Sequence, residues 1–317
     1  MYNTFGDSMN EKIVFLGTPE FAATILETLI QNNFNVVAVI SQPDKLIGRK
    51  QIPSFPAVKE MALKYHLPVY QPGRLKDDYQ FLVDLQPDLL ITCAYGQILP
   101  KKVLEIARIN NINVHASLLP NLRGGAPIQR AIIEGFETTG ISIMQMIEKM
   151  DAGVVYAQET LKIDNDINST DLFKKLSVVG ADLLIKTLPS IISKQNQGII
   201  QDETKVTYAF NIKRDEEKIN FNKSCKDVHN LIRGLSLTPG AYCYLKNKVL
   251  KIYKTNIYKL VKDNVETGIL KIENKKILVK CEDGYLEILV LQLEGKKILT
   301  AKEFLNGNQD LNNQILI

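Results

Sequence analysis

Between Lys12 and His115 the chain alternates short, continuous apolar runs with longer stretches of mixed polarity. Lys12–Gly17 (KIVFLG), Val36–Ile40, Asp88–Ala94 (DLLITCA) and Ile112–His115 carry apolar residues at consecutive positions. That pattern predicts strands covered on both faces rather than strands with one wet side. Pro19 and Glu20 open a predicted helix through Ile30, because proline fits the first helical position and a carboxylate suits the positive helix end. Ala57–Tyr65, Arg74–Leu85, Pro100–Ile106 and Pro127–Glu134 predict further helices. Leu172, Leu176, Val179 and Leu183 mark one face of a long helix running toward Pro189. Thr139–Ile147 alternates, with Ile141 and Ile143 against Ser142, Met144 and Met146. Buried strands interleaved with helices predict an α/β fold with a doubly wound, mainly parallel sheet.

After Gln195 the pattern changes. Short strands are predicted at Ala241–Leu245, Val249–Tyr253, Ile269–Glu273, Ile277–Cys281 and Leu286–Leu293. Turn signals such as Asn274-Lys275 and Glu282-Asp283-Gly284 separate them. This describes a small β-barrel or sandwich of about a hundred residues. The expected organisation is a leader over residues 1–10, an α/β domain over 11–196, a linker over 197–211 and a β-barrel over 212–317.

Apolar residues make up 45% of the 317 positions and charged residues 23%, which sets aside collagen-like, coiled-coil and wholly disordered readings. No apolar run approaches the ~18 residues of a membrane-spanning helix. Met1–Lys12 holds neither an apolar signal core nor an Arg-rich amphipathic pattern. Cys93, Cys225, Cys243 and Cys281 form no CxxC pair, and buried thiols in a reducing compartment are expected. A cytoplasmic location is expected. The net charge of +4 is uneven: residues 201–317 carry 20 basic and 15 acidic residues, against 19 and 20 in residues 1–200. Charge alone favours a solvated Lys-rich surface, with a polyanionic partner as the second reading.

The chain has three histidines. His66 follows a predicted helix and reads as a surface or capping residue. His229 sits in a helix-like stretch and reads as surface or structural. His115 ends a predicted strand, where open α/β sheets bind their ligands. Asn113 lies two residues earlier and shares its face, so an amide donor and an imidazole stand together, a sensible pair for a developing oxyanion. A lone strand-end histidine is more often structural. Asp151, in the turn Met150-Asp151-Ala152-Gly153, offers a carboxylate to orient and charge that imidazole. No second His or Cys lies near His115, so no metal site is expected. Gly17-Thr18-Pro19-Glu20 is not GxGxxG, and no GxSxG elbow exists. A nicotinamide oxidoreductase and a serine hydrolase are therefore disfavoured.

The run Asn113-Val114-His115-Ala116-Ser117-Leu118-Leu119-Pro120 is followed by Arg123-Gly124, Ala126-Pro127-Ile128, Thr139-Gly140, Ser142-Ile143-Met144 and Asp151-Ala152-Gly153. This spacing resembles the signature of the 10-formyltetrahydrofolate-dependent formyltransferases. Ile13–Phe21, Gln42-Pro43-Asp44 with Gly48-Arg49-Lys50, Ala94–Pro100, Leu231–Gly234, Pro239–Tyr242, Leu293–Lys297 and Phe304–Gly307 are similar to the branch of that family that acts on initiator methionyl-tRNA. The likeness covers Lys12 to Gly307. It implies a Rossmann-like formyltransferase domain followed by an OB-like barrel, with 10-formyltetrahydrofolate as co-substrate and no metal. It implies catalysis by Asn113, His115 and Asp151. In that scheme Asn113 and a protonated His115 stabilise an oxyanion, and Asp151 helps take the proton from the amine. Ser117, Leu118, Leu119, Pro120, Tyr95 and Gly96 would lie against the folate, and Arg49 and Lys50 against the tRNA. The barrel would hold the tRNA backbone, with Lys246, Lys248, Lys251 and Lys254 interleaved with Tyr242, Tyr244 and Tyr253, and the chain would work as a monomer. The rival readings are a formyltransferase for a sugar nucleotide and an idle RNA-binding protein that kept the fold.

Overall fold

The computed structural model describes residues 9–47, 52–308 and 310–317. In chain order the first part holds β1 (Met9–Gly17), α1 (Glu20–Gln31), β2 (Phe34–Ile40), β3 (Lys45–Ile47), β4 (Ile52–Ser54), α2 (Ala57–Lys64), β5 (Val69–Tyr70) and α3 (Gln80–Leu85). It continues with β6 (Leu89–Cys93), α4 (Lys101–Leu104), β7 (Asn110–His115), α5 (Pro127–Ile133), β8 (Thr138–Gln145), β9 (Val155–Lys162) and α6 (Ser169–Ile192). The sheet order is β5-β2-β1-β6-β7-β8-β9, parallel from β5 to β7, with β8 antiparallel to β7. The continuous apolar runs become its centre: Ile13 to Leu16 of β1 and Leu89 to Ile91 of β6 are fully buried. From β1 the chain winds to β2 on one side and later returns as β6 on the other. That reversal opens a crevice at the carboxyl ends of the strands, where β1, β6 and β7 all finish.

The second part holds α7 (Cys225–Gly234), β10 (Ala241–Leu245), β11 (Lys248–Leu260), β12 (Leu270–Glu273), β13 (Lys276–Cys281), β14 (Gly284–Leu293), β15 (Leu299–Thr300) and α8 (Ala301–Asn306). Its antiparallel sheet runs β10-β11-β14-β13-β12, with β15 on β14. The chain terminus ties both edges together. Leu270 N–H donates to the Gln314 carbonyl and Leu316 N–H to that of Gly268, while Tyr244 and Ile317 exchange two backbone hydrogen bonds. This closes the sheet into a barrel and leaves neither β10 nor β12 as a bare edge. Its core is aliphatic, built on Leu250, Ile252, Val279, Leu286 and Ile288, with Phe304 of α8 and Ile232 of α7.

Cα proximity divides the chain into two compact units: Met1–Pro127, Thr139–Leu161 and Phe173–Phe210 in one, and Ile128–Thr138, Lys162–Leu172 and Asn211–Ile317 in the other. The linear division expected from sequence differs, because two excursions from the first part belong with the barrel. Ile133 packs on the barrel core, and Arg233 donates to the carbonyls of Asp164 and Ile167. The expected linker is bound to the α/β unit. Ile199 pairs with Val155, Arg123 N–H donates to the Thr207 carbonyl, and Ala209 N–H donates to that of Arg123. The expected leader overlaps β1, since Met9 and Asn10 belong to that strand; residues 1–8 lie outside the described residues.

Other elements differ from the pattern for local reasons. The helix expected over Arg74–Leu85 is present only over Gln80–Leu85; Asp77 and Asp78 instead fold back onto the Arg74 carbonyl in a turn. The long helix α6 continues through Pro189 to Ile192. Its buried line runs through Leu172, Leu176, Leu184 and Leu188, while Val179 and Leu183 are only half-buried. Strand β9 shows no apolar run in the sequence, because Glu159 and Thr160 are exposed and Gln158 spends its amide on the Leu119 carbonyl and Ser142 Oγ. All four cysteines are buried and unpaired, and burial pushes the Cys93 thiol up and that of Cys243 to about 12.

Candidate active site

Asn113 and His115 finish β7 and project to one face, while Val114 between them is buried on the other. The hydroxyl of Thr92, at the end of β6, donates to Asn113 Oδ1 at 3.0 Å. This orients the amide with its NH₂ outward, and among the described residues Nδ2 has no protein partner. His115 is 5% exposed. Its Nε2 lies 3.1 Å from the Leu122 carbonyl. A carbonyl only accepts, so the proton sits on Nε2 and Nδ1 turns toward the carboxylate of Asp151, 3.7 Å from Oδ2.

Asp151 follows β8 in a tight turn and holds a left-handed φ of +48°. Aspartate tolerates that region better than most residues. Its Oδ2 accepts the backbone N–H of Gly124 at 2.8 Å. Two glycines make this meeting sterically feasible. Gly124 has φ +126°, and a Cβ there would stand 2.7 Å from the Ala209 carbonyl oxygen; a Cβ on Gly153 would stand 2.0 Å from that of Gln145. The Arg123-Gly124 turn and the Asp151–Gly153 turn therefore close against each other and bring the carboxylate to the imidazole.

Ser117, Leu118, Leu119 and Pro120 form the loop beyond β7, with a cis bond between Leu119 and Pro120. All four carbonyls of this loop are already bonded: Ser117 by Ser142 Oγ, Leu118 by Asn121 N, Leu119 by Gln158 Nε2 and Pro120 by Thr207 N. Half-buried Leu118 and Pro120 leave hydrocarbon open to a ligand, whereas Leu119 is packed inward on Met144 and Val155. Tyr95 and Gly96 follow β6 at the same end of the sheet. The Tyr95 carbonyl accepts from Thr18 Oγ1 and Gln42 Nε2, both at 3.0 Å, and its buried hydroxyl has no partner. The sequence pattern had not marked Thr92, Leu122 or Gln201 as parts of this site. Their signal is geometric, since each acts through a neighbour on another strand or loop.

Arg49 and Lys50 lie outside the described residues, between β3 and β4. In the barrel the expected basic–aromatic alternation is broken by a register shift on β11 between Ile252 and Lys254. Lys246, Lys248 and Lys254 are exposed, whereas Lys251 is half-buried and donates to the Pro239 carbonyl at 2.6 Å. Tyr242 and Tyr253 are buried; the guanidinium of Arg214 covers the first ring at 4.1 Å, and the second donates its hydroxyl to Gln292. Those two rings therefore present no open stacking face. His66 is exposed beyond α2, and the His229 ring bonds Thr255 Oγ1 at 2.9 Å. Among the described residues no cluster of three or more His, Cys, Asp or Glu side chains could hold a metal ion, and no helix is long and apolar enough to cross a membrane.

Residues 11–188 match the family model described as formyl transferase, and residues 211–309 match the formyl transferase C-terminal domain. The chain belongs to the formyl transferase family. Within it, the chain is 46% identical over 302 residues to a protein named methionyl-tRNA formyltransferase from Staphylococcus aureus strain MW2, covering 94% of this chain and 97% of the relative. A protein of the same name from Lactobacillus johnsonii is 45% identical over 298 residues, covering 93% and 95%. Among solved structures, the N-formyltransferase from Helicobacter canadensis in complex with folinic acid and dTDP-3-aminofucose superposes with a TM-score of 0.66. It is 19% identical, and the match covers 88% of this chain and 98% of that one. At that identity it shows the formyl transferase fold.

Proposed function

We propose that this formyl transferase carries the formyl group of 10-formyltetrahydrofolate to the α-amine of methionine esterified to initiator tRNA, giving formylmethionyl-tRNA for translation initiation. The observation that carries this reading is the near-full-length identity of 45–46% to methionyl-tRNA formyltransferases, spanning both the α/β unit and the barrel. A transferase for small amino sugars would not require a second domain matched so closely. A catalytically idle RNA-binding protein would not require the buried meeting of His115 with Asp151.

The site's own chemistry fits a folate donor. The apolar shelf of Leu118 and Pro120 and the open amide of Asn113 share one end of the sheet. Bound there, the folate supplies the activated formyl group. Asn113 Nδ2 donates to the formyl oxygen, and its hydrogen bond strengthens as that oxygen becomes negative. His115, with Nε2 on the Leu122 carbonyl and Nδ1 toward Asp151, adds the positive charge of its imidazolium form on the strand face it shares with Asn113, and the Asp151 carboxylate stabilises that form. The Asp151 carboxylate, directly or through water, takes the proton that the attacking amine must lose as its bond to the formyl carbon forms; the tetrahedral oxyanion then collapses, the bond from the formyl carbon to N10 breaks, and tetrahydrofolate leaves with that proton on N10. Because Oδ2 is held by Gly124 N–H and Nε2 by the Leu122 carbonyl, neither group needs to reorganise during the step. All these residues lie on one chain, so a monomer suffices, and a substrate made for translation places the enzyme in the cytoplasm.

Incubation with 10-formyltetrahydrofolate and methionyl initiator tRNA should release tetrahydrofolate and formylmethionyl-tRNA in equal amounts. No release is expected with uncharged tRNA. Folate turnover that is indifferent to the aminoacyl group would overturn the reading.

A further inference from the structure

Arg123 is a fully buried arginine between two residues of the site, Leu122 on His115 and Gly124 on Asp151. Its Nε and Nη2 donate to Gln201 Oε1 at 3.1 and 2.8 Å. The other end of the Gln201 amide donates twice, to the Asp151 carbonyl at 2.9 Å and to the Gly153 carbonyl at 2.7 Å. Nη2 also pairs with Glu203 at 2.8 Å, and the second oxygen of Glu203 holds Lys149 at 2.6 Å. Arg123 first, then Lys149, hold the Glu203 carboxyl down at about 2. The turn that carries Asp151 is thus gripped on both sides by two residues of one segment, Gln201 and Glu203. Gln201 holds Asp151 and Gly153, Glu203 holds Lys149, and buried Arg123 anchors both to the loop that holds His115.

We infer that Arg123 and Gln201 are positioning residues for the transfer step, a buried bridge that sets the distance between Asp151 and His115. The inference rests on the reading of Asn113, His115 and Asp151 as the transfer site. Neither residue touches a reacting atom. Arg123 is wholly covered, and the Gln201 amide is spent on protein groups. The left-handed φ of Asp151 gives the bridge a physical task, because a strained turn keeps its conformation only where its surroundings hold it. Gln201 supplies that hold at the carbonyls on either side of Ala152. The bridge is specific to glutamine. A glutamate would accept from Arg123 but turn a second acceptor onto the two carbonyls, and a methionine would fill the volume and bond nothing.

The test is the full-length chain with Gln201→Met, with Gln201→Glu as a second variant and Asp151→Asn as the background for a double mutant. Arg123→Lys, which keeps the charge but loses the fork, substitutes if Gln201→Met does not fold. Misplacing a reactive group by about an ångström predicts a ~10- to 100-fold fall in kcat for Gln201→Met. KM for both substrates should stay within a factor of about 3, because no binding group moves. In the Asp151→Asn background the same substitution should cost less than about 3-fold, since its effect passes through the carboxylate. A merely structural role would lower kcat equally in both backgrounds, and that additive result would overturn the inference. So would a Gln201→Met enzyme that keeps wild-type kcat, or a loss carried by KM alone. Failure of the underlying reading would look different: Asp151→Asn itself would then turn over like the wild type.

Discussion

Asp151→Asn isolates the charge of the carboxylate from its shape. The amide oxygen of asparagine can still accept from Gly124 N–H, now 2.8 Å from Oδ2, so the turn should remain closed. Exchanging a charge-assisted hydrogen bond for a neutral one costs about 1 kcal/mol of stability, so the thermal midpoint should fall by only a few degrees. The effect on turnover should be much larger. Asp151 stands 3.7 Å from His115 Nδ1, with its side chain 16% exposed. A unit charge at that range contributes about 4 kcal/mol to an imidazolium at an effective dielectric near 20. If two-thirds of that is realised in the transition state, its loss slows the reaction ~10²-fold, at about 1.4 kcal/mol per tenfold. Loss of a proton acceptor for the amine adds to this. The assay is initial-rate kinetics with both substrates varied, beside a thermal melt: kcat should fall at least ~10²-fold while the folate KM changes little. A folded Asp151→Asn enzyme with near-normal kcat would show that the carboxylate plays no part in the transfer.

Two further outcomes follow from the barrel. The His229 ring is lowered in pKa, chiefly by burial and then by the nearby positive charge of Arg233, against the carbonyl of Asn165. A histidine that resists protonation in the fold favours the unfolded state once pH falls below its ordinary value of 6.5. Stability should therefore be fully present above that value and decline on acidification until the folded value is passed; His229→Gln should remove that part of the slope in thermal melts between pH 7.5 and 5. Replacing exposed Lys246, Lys248 and Lys254 with Ala should weaken tRNA binding and flatten the salt dependence by about 2 to 3 in log–log slope, while folate binding stays unchanged. An unaltered slope would mark those lysines as solvated surface.

The parallel sheet was legible because its strands are buried on both faces, which leaves uninterrupted apolar runs such as Val14 to Leu16 and Leu89 to Ile91. Asn113 and His115 were legible because they share a strand face at a strand end. What the chain does not display in one dimension is partnership across it. Arg123 and Gln201 are 78 residues apart in sequence, and only the folded turn at Asp151 shows why a glutamine stands at 201. The alternation on β11 read as a basic–aromatic face, but the bulge near Tyr253 turns that ring inward. The excursions at 128–138 and 162–172 look like ordinary parts of the α/β pattern, and their apolar residues give no hint that they pack on the barrel.

The acceptor of the formyl group decides what this enzyme does, and that acceptor is an aminoacylated initiator tRNA. The most direct measurement is kcat/KM for three acceptors under one set of conditions with 10-formyltetrahydrofolate: methionyl initiator tRNA, methionyl elongator tRNA and a nucleotide-linked amino sugar. The initiator tRNA should exceed both others by at least ~10²-fold, and Asp151→Asn should lower all detectable transfer together. Preference for the amino sugar, or equal rates with every amine, would contradict it.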